Sequence, residues 1–230
     1  LLNSIGLENP GLEKFLKDKL PYLKKIGVPV IVSIASEKNP DEFIPLVKSL
    51  NKISAVSALE LNISCPNIKD RRMIAQDAQT TFEVVGKVRS LTQKTLITKL
   101  SPNVTDITAI ALAAEAAGSD AVSLINTLLG MSIDVDTRKP KIAKVVAGLS
   151  GPAIRPVAVK MVWEVYKKVK IPIIGMGGII DLASALEFFI AGATAVSIGT
   201  ANFINPKVSL EIIEGLKNYM RKNKIQNIKD

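Results

Sequence analysis

The sequence predicts an α/β fold of the (β/α)8 barrel type that lacks its first one or two βα units. Short β-branched and apolar runs alternate with stretches of helical periodicity, as in parallel sheets whose strands are buried on both faces. An internal repeat supports this: residues 117–123 read Ala-Gly-Ser-Asp-Ala-Val-Ser and residues 191–197 read Ala-Gly-Ala-Thr-Ala-Val-Ser. Each copy is typical of a helix end, a turn and a buried strand, and repeated βα units suit a barrel.

Each predicted strand is a short apolar run bounded by turn residues. The six strands are Val28–Ala35, Ala58–Ser64, Thr95–Ser101, Ala121–Asn126, Pro172–Gly178 and Ala195–Thr200. Helical periodicity predicts helices near Leu12–Lys25, Asp41–Asn51, Ala78–Leu91, Asp106–Ala117, Ile154–Val169 and Asp181–Ala191. A last helix is predicted to begin near Asn205, where Asn-Pro would supply an N-cap and a first-turn proline.

The organisation predicted is one barrel domain over residues 1–230. Six strands instead of eight, and a first residue that is leucine, lead us to expect an N-terminally truncated barrel, since barrels typically have about 250 residues. An open six-stranded sheet is the alternative. No linker-like stretch divides the chain, and residues 128–152 are expected to form an elaborated loop.

Composition narrows the class of protein. Hydrophobic residues make up 47% and charged residues 22% of the 230, which is ordinary for a globular enzyme. No apolar run approaches the roughly 20 residues of a membrane span. A single cysteine predicts a reducing, cytoplasmic setting. The net charge of +9 is spread over many segments and aromatics are only 4%, which favours solvated helix faces over a nucleic-acid site.

The absence of histidine restricts the chemistry. Ser-His-Asp and Cys-His catalytic arrangements are excluded, and a zinc site would need more Cys or His ligands, so no metal is expected. Acid–base chemistry near neutral pH would have to use a cysteine, a lysine or a carboxylate.

Candidate site residues follow the predicted strands, where barrel enzymes keep their active sites. Cys65 stands between Asn62 and Asn67 just past a strand end. A lone cysteine is usually a small buried hydrophobe, but a thiolate in this place could take a proton from carbon. The asparagines suit the amide edges of a small heterocycle. Lys99, on a strand that looks buried, calls for a negatively charged partner.

Two glycine turns follow the last two predicted strands, at Gly177-Gly178 and Gly199-Thr200. Glycine allows a ligand to approach the backbone closely, and turns in this position commonly bind phosphate in barrels. Tight packing or turn conformation alone is the alternative explanation.

Several motifs in order resemble the class 1 dihydroorotate dehydrogenases, most closely their NAD-linked B-type branch. The resemblance runs from Leu2 to Phe203, and it rests on 61–67 (Leu-Asn-Ile-Ser-Cys-Pro-Asn), 99–106 (Lys-Leu-Ser-Pro-Asn-Val-Thr-Asp), 125–127, 148–153 and 175–178. It implies FMN-dependent oxidation of (S)-dihydroorotate to orotate in pyrimidine synthesis.

The resemblance also implies roles for individual residues. Cys65 would take a proton from C5 of the substrate, and a hydride would pass from C6 to the flavin. Substrate contacts would come from Asn3, Ser4, Ile5, Gly6, Leu7, Asn62, Asn126 and Thr127, with Asn67 a further candidate. Flavin contacts would come from Asn62, Lys99, Ile125 and Gly151, and phosphate contacts from Gly177, Gly178, Gly199 and Thr200.

The same resemblance implies partners, and the sequence departs from the family's pattern at a few positions. Electrons would reach NAD through a subunit carrying FAD and a 2Fe–2S cluster, and the catalytic subunit would be a homodimer without membrane or nucleic-acid partners. Arg71 and Arg72 stand where relatives commonly have a glycine pair, and Ser33 where they often have an asparagine. Two alternatives stay open: an A-type enzyme that uses fumarate, and a non-catalytic barrel remnant that binds flavin or phosphate.

Overall fold

The computed structural model describes residues 1–36, 39–64 and 74–228. Its strands are β1 Leu2–Asn3, β2 Val30–Ala35, β3 Val56–Asn62, β4 Thr95–Lys99, β5 Ala121–Leu124, β6 Leu128–Gly130, β7 Ile133–Asp134, β8 Lys139–Pro140, β9 Ala147–Leu149, β10 Ile173–Met176 and β11 Ala195–Ser197. Its α-helices are α1 Leu12–Lys14, α2 Leu20–Ile26, α3 Phe43–Asn51, α4 Ala78–Arg89, α5 Ile107–Ala116, α6 Arg155–Tyr166, α7 Leu182–Ile190 and α8 Val208–Asn223.

The chain folds into two compact units. The N-terminal unit comprises Ile5–Leu100 and Ala109–Val122. The C-terminal unit comprises Leu1–Ser4, Ser101–Thr108 and Ser123–Asp230. Strand β5 contributes its first two residues to the N-terminal unit and its last two to the C-terminal unit.

The N-terminal unit is built on the strand order β2-β3-β4-β5, in which β2, β3 and β4 run parallel. Alternate residues of β3 point to opposite faces, and Leu59 and Leu61 on one face are completely buried. Helix α3 packs on β2 and β3 and buries Phe43, Val47 and Leu50, which stand at the i, i+4, i+7 spacing of one helix face. The opposite face of the strands carries the polar side chains described below.

The predicted helix over 12–25 is interrupted. A π-helical segment, Phe15–Lys19, separates α1 from α2. Pro21 stands at the start of α2 and has no N–H to donate to the carbonyl of Lys17, so the regular α-helical ladder cannot run through this point. Helix α2 then ends at Gly27, whose φ of 72° is left-handed.

The C-terminal unit is built on the strand order β5-β10-β11. Strands β10 and β11 are parallel, with Met176 opposite Ser197. Helix α8 begins at Val208, so the prediction that Asn205 and Pro206 start it is wrong. Instead Asn205 Oδ1 accepts from the Lys207 amide at 3.0 Å and closes a turn around Pro206.

Part of the predicted loop 128–152 is regular structure. Strands β6 and β1 flank β9 in an antiparallel sheet of three short strands, and β7 pairs with β8 as a hairpin. The chain's first residues therefore take part in a sheet with residues near 148.

All six predicted strands are present; β2 ends at Ala35 as predicted, and the other five end two or three residues earlier than expected. Strand β3 ends at Asn62, β4 at Lys99 and β10 at Met176. The apolar run alone does not show where the ladder stops, because the next residues are also small or apolar and form turns. Over the described parts of the chain, no helix combines the length and apolar character needed to cross a membrane.

Candidate functional site

Four polar side chains lie on one face of the sheet in the N-terminal unit. Ser33 on β2 stands opposite Glu60 on β3, and Asn62 on β3 stands opposite Lys99 on β4. Because side chains alternate along a strand, Glu60 and Asn62 share a face in successive rows. We call Ser33, Glu60, Asn62 and Lys99 the polar row set; Asn62 and Lys99 form its row at the carboxyl ends of the strands.

The polar row set contains an ion pair. Lys99 Nζ lies 3.7 Å from Glu60 Oε1, and the two side chains are only 23% and 12% exposed. Ser33 Oγ donates a hydrogen bond of 2.8 Å to the same Glu60 oxygen. A carboxylate and an ammonium this sheltered from water require partners, which here include each other and a hydroxyl.

A cleft of about 540 Å³ runs along β2 in the same unit. Gly6, Leu7, Ser33 and Asn62 all line it. Three residues predicted to contact substrate, Gly6, Leu7 and Asn62, thus border one cavity. The Asn62 side-chain oxygen also accepts from the Ser64 amide at 3.3 Å, which orients its carboxamide.

In the C-terminal unit, Asn103 holds the segment that carries Asn126 and Thr127. Its Nδ2 donates to the Thr127 carbonyl at 3.0 Å, and its Oδ1 accepts from the Leu129 amide at 2.9 Å. The Thr127 amide donates to Asn126 Oδ1 at 2.7 Å. Sequence reasoning did not assign this bracing role to Asn103; its position after Ser-Pro at the end of a strand was the available signal.

Asn3 and Thr127 meet at one glycine. Asn3 pairs with Gly148 across β1 and β9, and a Cβ built on Gly148 would lie 2.6 Å from Thr127 Oγ1. The structure therefore brings two predicted substrate residues, Asn3 and Thr127, to the same place in the C-terminal unit. Asn3 and Ser4 belong to this unit and Ile5, Gly6 and Leu7 to the other, so the predicted group of five is divided between the two.

The glycines predicted to bind phosphate differ in whether their backbone conformation and neighbours require a glycine. Gly177 and Gly178 have φ of 126° and 81°, and a Cβ on Gly178 would lie 2.7 Å from the Gly151 carbonyl oxygen. These positions need glycine for conformation and packing. Gly199 has a negative φ and no atom within 4 Å of a built Cβ.

The two turns leave paired strands at the same level. Gly177 directly follows Met176, and Gly199 stands two residues past Ser197, the register partner of Met176. Asn202 braces the second turn, since its Nδ2 donates to the carbonyls of Ile198 and Gly199 at 2.8 and 2.9 Å. Thr200 opens the 3₁₀ turn that follows, and Ile125, also predicted as a flavin contact, is buried.

Helix α7 begins just after the first glycine turn, at a capping box. Asp181 Oδ1 accepts from the Ser184 amide at 2.8 Å, and Ser184 Oγ accepts from the Asp181 amide at 3.0 Å. Hydrogen bonds from the Ser184 hydroxyl and amide lower the pKa of Asp181, with a smaller contribution from the Arg155 charge. The cap fixes where α7 starts relative to Gly178.

Cys65, Asn67, Arg71 and Arg72 lie outside the described residues. Cys65 comes three residues after Asn62 in the sequence and one after Ser64, the last described residue before the gap.

Parallel strands, helices between them, and polar side chains and glycine turns after the strand ends are typical of an α/β barrel-type enzyme. The sequence model of the family described as dihydroorotate dehydrogenase matches residues 1–220. The chain belongs to the dihydroorotate dehydrogenase family, and it is an oxidoreductase of pyrimidine synthesis. Enzymes of this family depend in general on a flavin.

Two curated relatives support the B-type prediction. The chain is 51% identical over 231 residues to dihydroorotate dehydrogenase B (NAD(+)), catalytic subunit, of Caldicellulosiruptor bescii, and covers 76% of that protein. It is also 51% identical to the protein of the same name from Thermoanaerobacter pseudethanolicus, again with 76% covered. Resemblance to the B-type branch is thereby confirmed.

A solved structure confirms the fold class. The chain superposes with a TM-score of 0.75 on DHODH in complex with ferulenol from Eimeria tenella, covering 100% of this chain and 69% of that one. The sequence identity is 23%, so this similarity shows the fold alone.

Proposed function

We propose that this chain oxidises (S)-dihydroorotate to orotate with FMN, using Cys65 as the base that takes the proton from C5. The observation that carries the proposal is the row formed by Asn62 and Lys99 at the carboxyl ends of β3 and β4, in which Asn62 stands three residues before Cys65 in the sequence. An amide and an ammonium in one row can hold an anionic, amide-containing ring system beside the segment that carries the thiol.

The described residues fit a flavin phosphate. Gly199 needs glycine neither for a left-handed φ nor to avoid a neighbour, and a Cβ there would project into open space. Close approach of a ligand to the backbone is one physical reason for a glycine at this position. Gly177, Gly178, Gly199 and Thr200 would hold the phosphate, while Asn62, Lys99, Ile125 and Gly151 would hold the rest of the cofactor.

When bound, FMN supplies the acceptor for the hydride that leaves C6 of the substrate. The chain's own residues position the substrate and move its proton. Amide groups of Asn62 and Asn126 and the hydroxyl of Thr127 offer donors and acceptors to the substrate's ring amides, with Asn67 as a further contact. The Asn3–Leu7 segment would contribute the remaining substrate contacts.

Cys65 acts as base only as thiolate, whose sulfur accepts the C5 proton. No histidine exists in the sequence to take this role. The charge of Lys99 favours anionic groups in its surroundings, including the substrate carboxylate and the electron-rich reduced cofactor.

We further propose that electrons pass to NAD through a separate subunit that carries FAD and a 2Fe–2S cluster, and that the catalytic chain forms a homodimer. The name of the relatives, with NAD(+) and "catalytic subunit", supports the first proposal. One cysteine in 230 residues is too few to hold such a cluster in this chain. The continuous family match over residues 1–220 supports a single flavin-binding domain.

The deciding experiment follows the absorbance of flavin. Protein purified with added FMN should be yellow, and anaerobic dihydroorotate should bleach the flavin band. NAD should reoxidise it only when the partner subunit is present. Failure to bind FMN, or bound FMN that dihydroorotate leaves oxidised, would refute the proposed activity. Reoxidation by fumarate without a partner would refute the NAD-linked part alone.

A further inference from the structure

Glu60 is a sheltered carboxylate with no part in the reaction proposed above. Its side chain is 12% exposed, and carboxylates are rarely so buried unless they are paired. Its partners include the hydroxyl of Ser33 at 2.8 Å and the ammonium of Lys99 at 3.7 Å. Both contacts involve the same oxygen, Oε1, so one carboxylate oxygen links β2 to β4.

The strand register explains how this link arises. Ser33 is the direct partner of Glu60, and Ile97 is the partner of Glu60 on the other side. Lys99 stands two residues beyond Ile97 and so occupies the next row on the same face, opposite Asn62. Glu60 therefore lies one row behind Lys99, on the side away from the strands' carboxyl ends.

The charges give this arrangement a consequence. A lysine ammonium sits on a flexible stem and carries three donors, so it needs a fixed counter-charge to keep one direction. At 3.7 Å from Glu60 the ammonium is attracted without being closed into a tight hydrogen bond. Its remaining donors stay available for a ligand in the row at the strand ends.

We propose that Glu60 is a positioning residue, which holds Lys99 toward the bound flavin and offsets part of its positive charge. The inference rests on the proposed function, because it assumes that Lys99 faces the cofactor. Ser33 assists by holding the Glu60 carboxylate from the neighbouring strand. Glu60 itself touches neither substrate nor cofactor in this scheme.

Removing the negative charge should favour the reduced flavin. In Glu60→Gln the side chain keeps its size and its ability to accept from Ser33, but the charge of Lys99 is no longer offset. The uncompensated ammonium stabilises the extra electrons of the reduced cofactor. The equilibrium between oxidised and reduced flavin should shift about tenfold toward the reduced form, or about 30 mV for a two-electron couple.

The test is a double-mutant cycle on the midpoint potential of bound FMN. The variants are Glu60→Gln, Lys99→Met and the double variant, with Ser33→Ala and Glu60→Asp as graded changes. Glu60→Gln should raise the potential, and the double variant should lose this rise. Glu60→Asp keeps the charge and should return most of the wild-type potential. The matched control is Glu214→Gln, which breaks the ion pair of Glu214 with Lys217, two side chains that are both 59% exposed. This variant should leave the potential unchanged.

A second measurement needs no flavin. In the apoprotein, the rate of Lys99 acylation by acetic anhydride should rise at least threefold in Glu60→Gln, since Nζ is no longer held beside the Glu60 carboxylate. Mass spectrometry would follow the Lys99 peptide, with Lys217 in the Glu214→Gln control for comparison.

The outcomes distinguish the proposed function from the positioning role of Glu60. No flavin binding by wild-type protein would count against the proposed function, while the acylation rates would still test the link between Glu60 and Lys99. Bound flavin with the same potential in wild type and Glu60→Gln would overturn the positioning role. An equal shift with and without Lys99 would show that Glu60 acts by another route. If Glu60→Gln fails to fold, Ser33→Ala decides, with a smaller rise expected and no rise refuting the proposal.

Discussion

Thr127 fills the space that a side chain on Gly148 would occupy. A Cβ built on Gly148 would lie 2.6 Å from Thr127 Oγ1 and 3.0 Å from Thr127 Cβ. Gly148 is also the register partner of Asn3. The absence of a side chain at residue 148 therefore allows two proposed substrate residues to approach the same strand.

Gly148→Ala should force Thr127 to move. Rotating Thr127 does not relieve the contact, because its Cβ and Cγ2 are also within 3.3 Å of the built atom. We expect a loss of about 1–3 kcal/mol in unfolding free energy from overpacking. The KM for dihydroorotate should rise about tenfold, equivalent to ~1.4 kcal/mol.

Gly130→Ala is the control in the same small sheet, where a Cβ would meet Leu2 at an ordinary 3.5 Å. Thermal melts and steady-state kinetics on both variants test the prediction. Equal behaviour of the two would contradict it.

Gly199→Ala should separate flavin binding from folding. The position has a negative φ and open space around a built Cβ, so unfolding free energy should change by less than about 0.5 kcal/mol. If the backbone there contacts the phosphate, the Kd for FMN should rise about tenfold or more. Titration of apoprotein with FMN, followed by quenching of flavin fluorescence, measures this.

Gly178→Ala should lower the unfolding free energy, unlike Gly199→Ala. Its φ of 81° and the 2.7 Å approach to the Gly151 carbonyl should destabilise the fold by more than ~1 kcal/mol. A Gly199→Ala protein that binds FMN as tightly as wild type would remove Gly199 from the phosphate site.

Asp181 should make the stability of α7 depend on pH. Its pKa is lowered in the folded protein by hydrogen bonds from Ser184, so its contribution is fully present above the unfolded pKa of about 3.9. The contribution is lost as pH falls through the lowered folded value. Asp181→Ala should cost about 1 kcal/mol near neutral pH and progressively less in acid.

Asp181→Asn provides the comparison, since asparagine also caps helices but does not titrate in this range. Denaturant unfolding between neutral pH and pH ~3 would show the difference between wild type and Asp181→Ala shrinking toward acid, while the difference between Asp181→Asn and Asp181→Ala stays constant. A difference between wild type and Asp181→Ala that stays constant over this range would disprove the linkage.

Cys65→Ser should slow reduction of the bound flavin by dihydroorotate by about 10²- to 10⁴-fold, the usual contribution of a positioned base. Binding of FMN should stay unchanged. Stopped-flow absorbance measures the reduction, and the flavin spectrum measures the binding. Because the chain has a single cysteine, alkylation of wild-type protein with iodoacetamide is an independent check. Reduction at the wild-type rate after complete alkylation would exclude Cys65 as the base.

The six strands could be predicted because buried parallel strands are short apolar runs between turns. Most of their ends could not, since the residues after Asn62 and Lys99 are as apolar as those before. The π-helical segment Phe15–Lys19 interrupts the predicted helix because Pro21 lacks a backbone N–H donor. Hydrophobic periodicity does not detect a single missing donor. The small sheet of β1, β6 and β9 joins residues about 145 positions apart, and no local pattern predicts such a pairing.

The candidate site was predictable as a set of residue types after strand ends. Its internal connections were not. The pairing of Glu60 with Lys99 depends on the register of three strands, and a shift of one residue would place Glu60 on the opposite face. The bracing roles of Asn103 and Asn202 depend on carbonyls in neighbouring turns, whose positions follow only from the folded backbone.

The pairing of β1 with β9 has a consequence for the order of folding. Leu2 stands opposite Leu149 and Asn3 opposite Gly148, so β1 cannot form this pairing until the ribosome has released residue 149. Sheet β2-β3-β4 can form much earlier in synthesis, because its strands are close in sequence. Asn3 therefore reaches its place beside Thr127 late, and proteases should cut this first strand most readily in nascent chains halted before Ser150.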